Sequence, residues 1–408
     1  MITLASHNAN SIRALVRSRR AFLKDASFAA TGALTATPLL TWGTEQSAAA
    51  DSPRVVDGKD GMIIRSLRFL DLEMPPEFAN VWITPVQHFY VRNHMFEPSR
   101  IDVGRWNLNL SGEVEKPIVL KLSDLGNFDQ HSITNTLECA GNGRAFQDPR
   151  VPGIQWQRGA VGNARFTGPR LADVLQRTGV KPTGKHVMFR GLDEVPGNVP
   201  PFIRSIPIEK ASDPATLIAT HMNGAPLTHH HGFPARALVP GWVGAASCKW
   251  LTEIQVVEKE FEGNFMKPGY RYPDQPVAPG AAVKPEETHP LTALAVKSMI
   301  ANPTDGSKRK LGSISVHGVA WAGEAEIVRV EVSTDGGGTW RSAELGKEHE
   351  HYAWRLWRFP WKPNKSDHYV ILSRATDNQG RTQPNTAAWN PSGYLFNAVD
   401  RVNLHVEG

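Results

Sequence analysis

At 408 residues the chain is long enough for about two domains and a targeting segment. Its formal charge of +5 is mostly N-terminal: in residues 1–50, Arg13, Arg17, Arg19, Arg20 and Lys24 face Asp25 and Glu45, leaving +2 for the rest. That excludes the basic footprint of a nucleic-acid binder, and two cysteines without a CxxC or CxxCH pair exclude a c-type haem or cysteine-held iron–sulfur cluster in this chain.

Residues 18–24 (SRRAFLK) place twin arginines ahead of a weakly apolar run over 26–40 and a small-residue stretch ending at Ala50. The three regions in that order read as a twin-arginine export signal over 1–50, which implies the twin-arginine translocation machinery as a partner and a periplasmic protein. The apolar run is too short for a membrane span. Polar residues 51–76 predict an extended arm.

Residues 77–290 predict a mixed α+β domain. Strands are expected over 106–111, 186–190, 236–239 and 251–258. Helices are expected over 169–178, closed by Gly179, and from Ser123 across 124–126. Within YVRNH (90–94), an extended strand would put Arg92 and His94 on one side. The Pro-rich residues 272–290 read as a linker or strap. Residues 291–408 alternate apolar and polar residues and turn at Asp335-Gly336-Gly337-Gly338, which predicts an all-β immunoglobulin-like sandwich with its Trp and Phe residues in the core.

The chemistry centres on residues 134–146, TNTLECAGNGRAF. A strand delivers Cys139 into a turn where Gly141 and Gly143 would let backbone N–H groups approach a ligand, and Arg144 would favour thiolate, a soft metal ligand. A buried structural cysteine and a Cys139–Cys248 bridge are the open alternatives. Cys248 alone reads as a small buried hydrophobe, Trp156 as core or as a cofactor shelf, and Arg92 as an ion-pair partner or an anion holder. His229, His230 and His231, being consecutive, cannot all face one metal ion.

YVRNH, LECAGNGR, GIQW, GLD, MNGAPL, HGFPARALVPG and VGAASCKW occur in the order in which they occur in the sulfite oxidase family of molybdenum enzymes. GVAWAG, VEVSTDGGGTW and AWRLW resemble that family's C-terminal immunoglobulin-like domain, so the likeness covers roughly residues 80–405. The resemblance implies a molybdopterin domain followed by a dimerisation domain, with one molybdopterin per molybdenum and Cys139 as the protein thiolate on the metal. It implies that Tyr90, Val91, Arg92, Asn93, His94, Asp193, His231, Arg236, Ser247, Cys248 and Lys249 hold the pterin and its phosphate. Arg92, Arg144, Trp156 and Tyr270 would form the anion pocket, with His94 tuning its proton network. Without the cytochrome b5 domain of the animal enzymes, the chain resembles stand-alone bacterial sulfite dehydrogenases.

The expected activity is oxidation of sulfite, or a related sulfur oxyanion, to sulfate by oxo transfer at molybdenum, with electrons leaving singly to a separate c-type cytochrome and a homodimer as the assembly. Two departures touch the substrate: Ser392 stands where the animal and plant enzymes have a substrate-binding arginine, and Ala246 replaces a second basic residue. Arg204 or Arg355 would have to make up the charge. Sulfane dehydrogenase and sulfoxide reductase are the alternative activities, and an exported non-enzymatic binding protein is the alternative outside enzymology.

Overall fold

The computed structural model describes residues 56–408. The twin-arginine segment and the stretch ending at Ala50 lie outside the described residues.

The signature strand, Gln130–Glu138, pairs antiparallel along its whole length with Val161–Pro169. Its first residues alternate in exposure, but the last five are all buried, because its C-terminal half runs into the interior just before Cys139. His221–Met222 and Ala225–Pro226 extend this sheet. A second sheet orders Ile118–Leu120, Leu108–Gly112, Leu251–Val257, His186–Gly191 and Ile203–Pro207. Leu251–Val257 runs parallel to Leu108–Gly112 and antiparallel to His186–Gly191. The helix Leu171–Gln176 buries Leu171, Val174 and Leu175, an i, i+3, i+4 stripe, and Gly179 follows at φ +65. It starts later than expected because Pro169 still pairs with Gln130 in the strand. The other predicted helix is the short Leu122–Leu125.

Two sequence expectations are corrected. The segment after residue 55 is not a bare arm: Ile63–Ser66 and Asp71–Glu73 form a hairpin. Its buried Glu73 carboxylate accepts the backbone N–H groups of Gln157, Arg158 and Gly159. Residues 90–94 form no strand; Val91 makes a single bridge to Leu72 of that hairpin, and the chain is otherwise irregular. The Pro-rich strap is zipped at its ends, where Arg271–Pro273 pairs with Thr288–Pro290.

Beyond the strap the chain is all-β. One sheet orders Lys297–Asn302, Ile314–Trp321, Arg355–Trp361 and Glu344–Leu345. The other orders Ser307–Lys310, Asp400–Glu407, Asp367–Asp377, Ile327–Ser333 and Arg341–Ser342. Ile300, Val316, Trp357 and Phe359 from the first share a core with Val330, Ile371, Val402 and Leu404 from the second. The predicted turn is present, with Gly336 and Gly337 at positive φ and Asp335 accepting from Thr339. Not every aromatic here is core. Trp389 donates to the Pro149 carbonyl and Phe396 packs on Gly143, so their loop lies over the Cys139 turn instead.

The two parts share a core, since Met299, Trp321 and Trp354 cluster with residues of the mixed α+β part. A polar cluster reinforces that seam. Lys297 Nζ donates to Glu138 Oε1 at 2.9 Å and to the Asn142 carbonyl at 3.1 Å, while Trp321 Nε1 donates to Glu138 Oε2 at 2.8 Å. Breaking a buried ion pair from one side strands the other charge, so Lys297→Met should cost about 3–5 kcal/mol in denaturant unfolding. A loss below about 1 kcal/mol would mean that the pair is dispensable.

Candidate active site

Cys139 follows the last residue of Gln130–Glu138 directly, and two backbone bonds fix it: its N–H donates to the Ala160 carbonyl, and its own carbonyl accepts from Asn142. The glycines after it serve another purpose than the one expected. A Cβ at Gly141 would fall 2.5 Å from the Arg144 guanidinium, and one at Gly143 would fall 2.7 Å from the Phe396 ring. They admit side chains, not a ligand, to the turn. Both cysteines are free thiols, so the bridge is absent. The thiolate expectation is also corrected for the protein alone: burial raises the Cys139 pKa, outweighing the pull of Arg92 and Arg144. Bonding to a cation is what would remove that proton.

Cys139 opens into a cleft with about 650 Å³ of unfilled space, solvent at its mouth included. Tyr90, Val91, Arg92, Asn93, His94, Asp193, His231, Arg236, Ser247, Cys248, Lys249 and Tyr270 all line it. Arg144 and Trp156 do not. Trp156 is fully buried behind the thiol with its Nε1 unpartnered, so it is core as placed. Arg144 is pinned by Nε to the Ser392 carbonyl at 2.8 Å and by Nη1 to the Ile154 carbonyl at 2.9 Å. Ser392 thus brings no cation; its backbone holds one. Cys248 is buried, its pKa pushed up to about 12 by burial.

Lys249 and Arg236 in the cleft lining, with Lys59 bonded to the lining residue His231, make a nest of buried cations. Arg236 donates to the carbonyls of His231 and Ser247 and leaves a buried Nε unpartnered. Lys249 Nζ reaches Asn93 Oδ1 and the His230 carbonyl. Lys59, from the N-terminal segment, reaches the Val86 and Phe89 carbonyls and, at 2.7 Å, His231 Nε2. Burial lowers Lys59 to about 7, Lys249 to about 8 and Arg236 to about 10. Nearby anions are few: Asp193 is raised to about 6 by burial despite Lys249, and Glu97 pairs with His230. Lys59 went unmarked in the sequence because it lies in a polar stretch without a periodic pattern.

Arg92, also in the lining, pairs with Asp71 at 3.2 Å and keeps its charge although burial opposes it. His94 Nε2 is hydrogen-bonded to the Tyr270 hydroxyl, and its ring stacks on Phe202 at 4.3 Å. Burial, together with Arg92, Arg204, Lys249 and Arg144, drives the His94 pKa well below 6.5, so the imidazole is neutral. Burial raises Tyr270, so the phenol keeps its proton. Tyr270 has a left-handed φ of +55, costly for an aromatic residue, and its ring stacks on Tyr394 of the β part at 5.4 Å. Arg355 donates to the Gly346 carbonyl and is absent from the cleft lining, whereas the Arg204 guanidinium lies 4.9 Å from the Tyr270 ring centre. Among the described residues no group of three or more His, Cys, Asp or Glu is set to hold a metal ion, so the histidine run makes no such site.

Two family models match the chain: an oxidoreductase molybdopterin-binding domain over residues 94–265 and a Mo-co oxidoreductase dimerisation domain over residues 288–407. Mitochondrial sulfite oxidase of Rattus norvegicus is 37% identical over 84% of this chain, which spans only 65% of that protein. Sulfite oxidase of Arabidopsis thaliana is 33% identical over 81% of this chain and 91% of its own length. Among solved structures, the sulfane dehydrogenase SoxCD of Paracoccus pantotrophus aligns over 92% of this chain and 100% of its own, with a TM-score of 0.75 and 26% identity. The chain belongs to the sulfite oxidase family, with molybdenum–molybdopterin as its cofactor.

Proposed function

We propose that the protein is an exported oxidoreductase that converts sulfite to sulfate at a molybdenum–molybdopterin centre and works as a homodimer through an immunoglobulin-like C-terminal domain. Electrons would leave singly to a separate c-type cytochrome. The observation that carries this reading is one cleft whose lining brings together a free thiol, buried cations, and an arginine with a neutral His–Tyr pair. Export rests on the twin-arginine segment over 18–24, and dimer formation on the match of residues 288–407 to a dimerisation domain.

The residues fit the cofactor. Cys139 offers a soft sulfur donor at the end of a rigid strand. Lys59, Lys249 and Arg236 are held by carbonyl, amide and imidazole atoms, none by a carboxylate, so an anionic phosphate would neutralise charge that the protein leaves uncompensated. The unpartnered Arg236 Nε is a donor still to be used.

The bound group supplies two-electron oxo transfer. The protein's part is to bind and orient the substrate and to manage protons. Arg92, kept charged by Asp71, meets the sulfur oxyanion at the Cys139 side of the cleft. Arg144, anchored through Nε and Nη1, keeps Nη2 free and adds positive field behind the thiol. The protonated Tyr270 hydroxyl hydrogen-bonds the neutral His94 Nε2, and this pair gives the protons released as sulfite gains an oxygen from water a route out of the pocket. The Phe202 and Phe265 rings around His94 keep water from this pair.

A sulfane substrate is the second reading. It is favoured by the missing cation at Ser392 and by the end-to-end match to SoxCD, described as a sulfane dehydrogenase. Steady-state turnover of the molybdenum-loaded protein with sulfite, thiosulfate and a sulfoxide, using artificial electron carriers, separates the readings. No sulfite turnover in fully loaded protein would sink the first.

Cys139→Ser should abolish turnover and lower the molybdenum content measured by metal analysis while leaving the unfolding midpoint within a few degrees of the parent. Retained turnover would overturn the ligand role. Tyr270→Phe should lower kcat roughly 10²-fold, the usual weight of a proton-transfer group, with a smaller change in KM.

The lysines predict a pH signature in the cofactor-free protein. Folding lowers their pKa values from 10.5, so the cost to stability is full below about pH 7, starts to fade as the folded lysines lose their protons through about 7 and 8, and is gone only near the unfolded value of 10.5. Sulfate, a dianion across this range, pairs with the charged forms. Its stabilisation in a thermal melt should be largest near pH 6 and shrink by pH 9; a pH-independent shift would count against the cation nest as an anion site.

A further inference from the structure

Arg204 is the anomaly in this structure. It sits on Ile203–Pro207 opposite Phe189, only 1% exposed, and one of its nitrogens donates to the Phe265 carbonyl. Its Nε is buried without a partner, and among the described residues it has no ion pair. Glu260, the nearest carboxylate to influence it, is bound to Arg271 at 3.2 Å. A buried guanidinium with no counter-charge is costly, and one carbonyl and one aromatic face offset only part of that cost. What the guanidinium does face is the Tyr270 ring, 4.9 Å away, whose hydroxyl opens on the cleft.

We propose that Arg204 is a positioning residue that supplies, through Tyr270, the third positive charge of the substrate pocket, where position 392 carries none. The inference rests on the reading of the cleft as a sulfur-oxyanion site. Three contacts fix the Tyr270 ring: Arg204 against its face, Tyr394 stacked at 5.4 Å, and His94 at the hydroxyl. Arg204 therefore acts on the pocket without lining it. Its charge attracts the oxyanion across the aromatic ring and holds the Tyr270–His94 pair in place. It also opposes a proton on His94, whose other charged neighbours are Arg92, Lys249 and Arg144.

The test compares molybdenum-loaded wild type with Arg204→Met and Arg204→Lys. Sulfate affinity is measured by calorimetry and kcat/KM for sulfite is followed against pH. Removing one charge at this range in a partly buried site should weaken sulfate roughly tenfold in Arg204→Met. The acid limb of its kcat/KM profile should move to higher pH, because His94 becomes easier to protonate. Arg204→Lys should recover most of both. A merely structural residue would lower the amplitude, leave the limb in place, and not be rescued by charge. Wild-type affinity and limb in Arg204→Met would overturn the proposal. Should that variant fail to fold or load, Arg204→Gln, which keeps a donor for the Phe265 carbonyl without the charge, decides by the same two readouts. If wild type neither binds sulfate nor oxidises sulfite, the reading of the site fails; if it does both and the variants match it, only the inference about Arg204 fails.

Discussion

The Glu138 carboxylate is the constraint on which the site depends. It precedes the thiol by one residue and is buried, and both oxygens are bonded: to Lys297 and Asn142 on one side, to Trp321 on the other. Lys297 and Trp321 belong to the β part, while Asn142 belongs to the Cys139 turn. One acid therefore fixes the strand end, the turn and the neighbouring domain together. Two further bonds follow from that alignment: Leu395 N–H to the Ala140 carbonyl, and Arg144 to the Ser392 carbonyl. The C-terminal part completes the catalytic wall, and a protein truncated after residue 290 would lack it.

Charge is distributed unevenly along the cleft. Among the described residues, Lys249 and Arg236 in its lining and Lys59 and Arg204 behind it are buried cations without direct carboxylate bonds, whereas Arg92 has Asp71. An interior of this kind is stabilised by whatever anion it holds, so folding and cofactor retention are linked in one equilibrium. Among the described residues, three of the four non-glycine positions with positive φ lie along the same surface, Asn223 of the turn after Met222 being the other. Trp250, Tyr270 and Leu395 have positive φ, and each is itself, or adjoins, a residue of the cleft or its wall.

How much of this could be read from the sequence follows from how each residue acts. Cys139, Arg92, His94, Lys249, Arg236 and Tyr270 sit in short ordered segments, and the cleft gathers all of them. Lys59 and Tyr394 were invisible, since each matters only through a partner distant in the chain, His231 for one and Tyr270 for the other. The same limit misled the readings of the arm, in its described residues from 56 on, and of 90–94: their order comes from the Leu72–Val91 bridge and the Glu73 carboxylate, not from local periodicity. Arg144 was correctly seen as adjacent to the thiol, but the thiolate did not follow. Burial, a property of the whole fold, outweighs one neighbouring charge. The helix Leu171–Gln176 and the turn at Asp335–Gly338 were legible because a stripe, a cap and a glycine run are local.

The zipped strap bears on how this framework could change over evolutionary time. Arg271–Pro273 and Thr288–Pro290 pair directly beside Tyr270, and the Leu291 N–H returns to the Tyr270 carbonyl. The loop between them, residues 274–287, is thus tied off at its base before any change in its length could reach the active site. Doubling such a loop costs only about 0.6 kcal/mol of closure entropy. Insertions there would leave the cleft nearly untouched, which makes the strap a place where a lineage could acquire a new surface element without rebuilding the centre beside it.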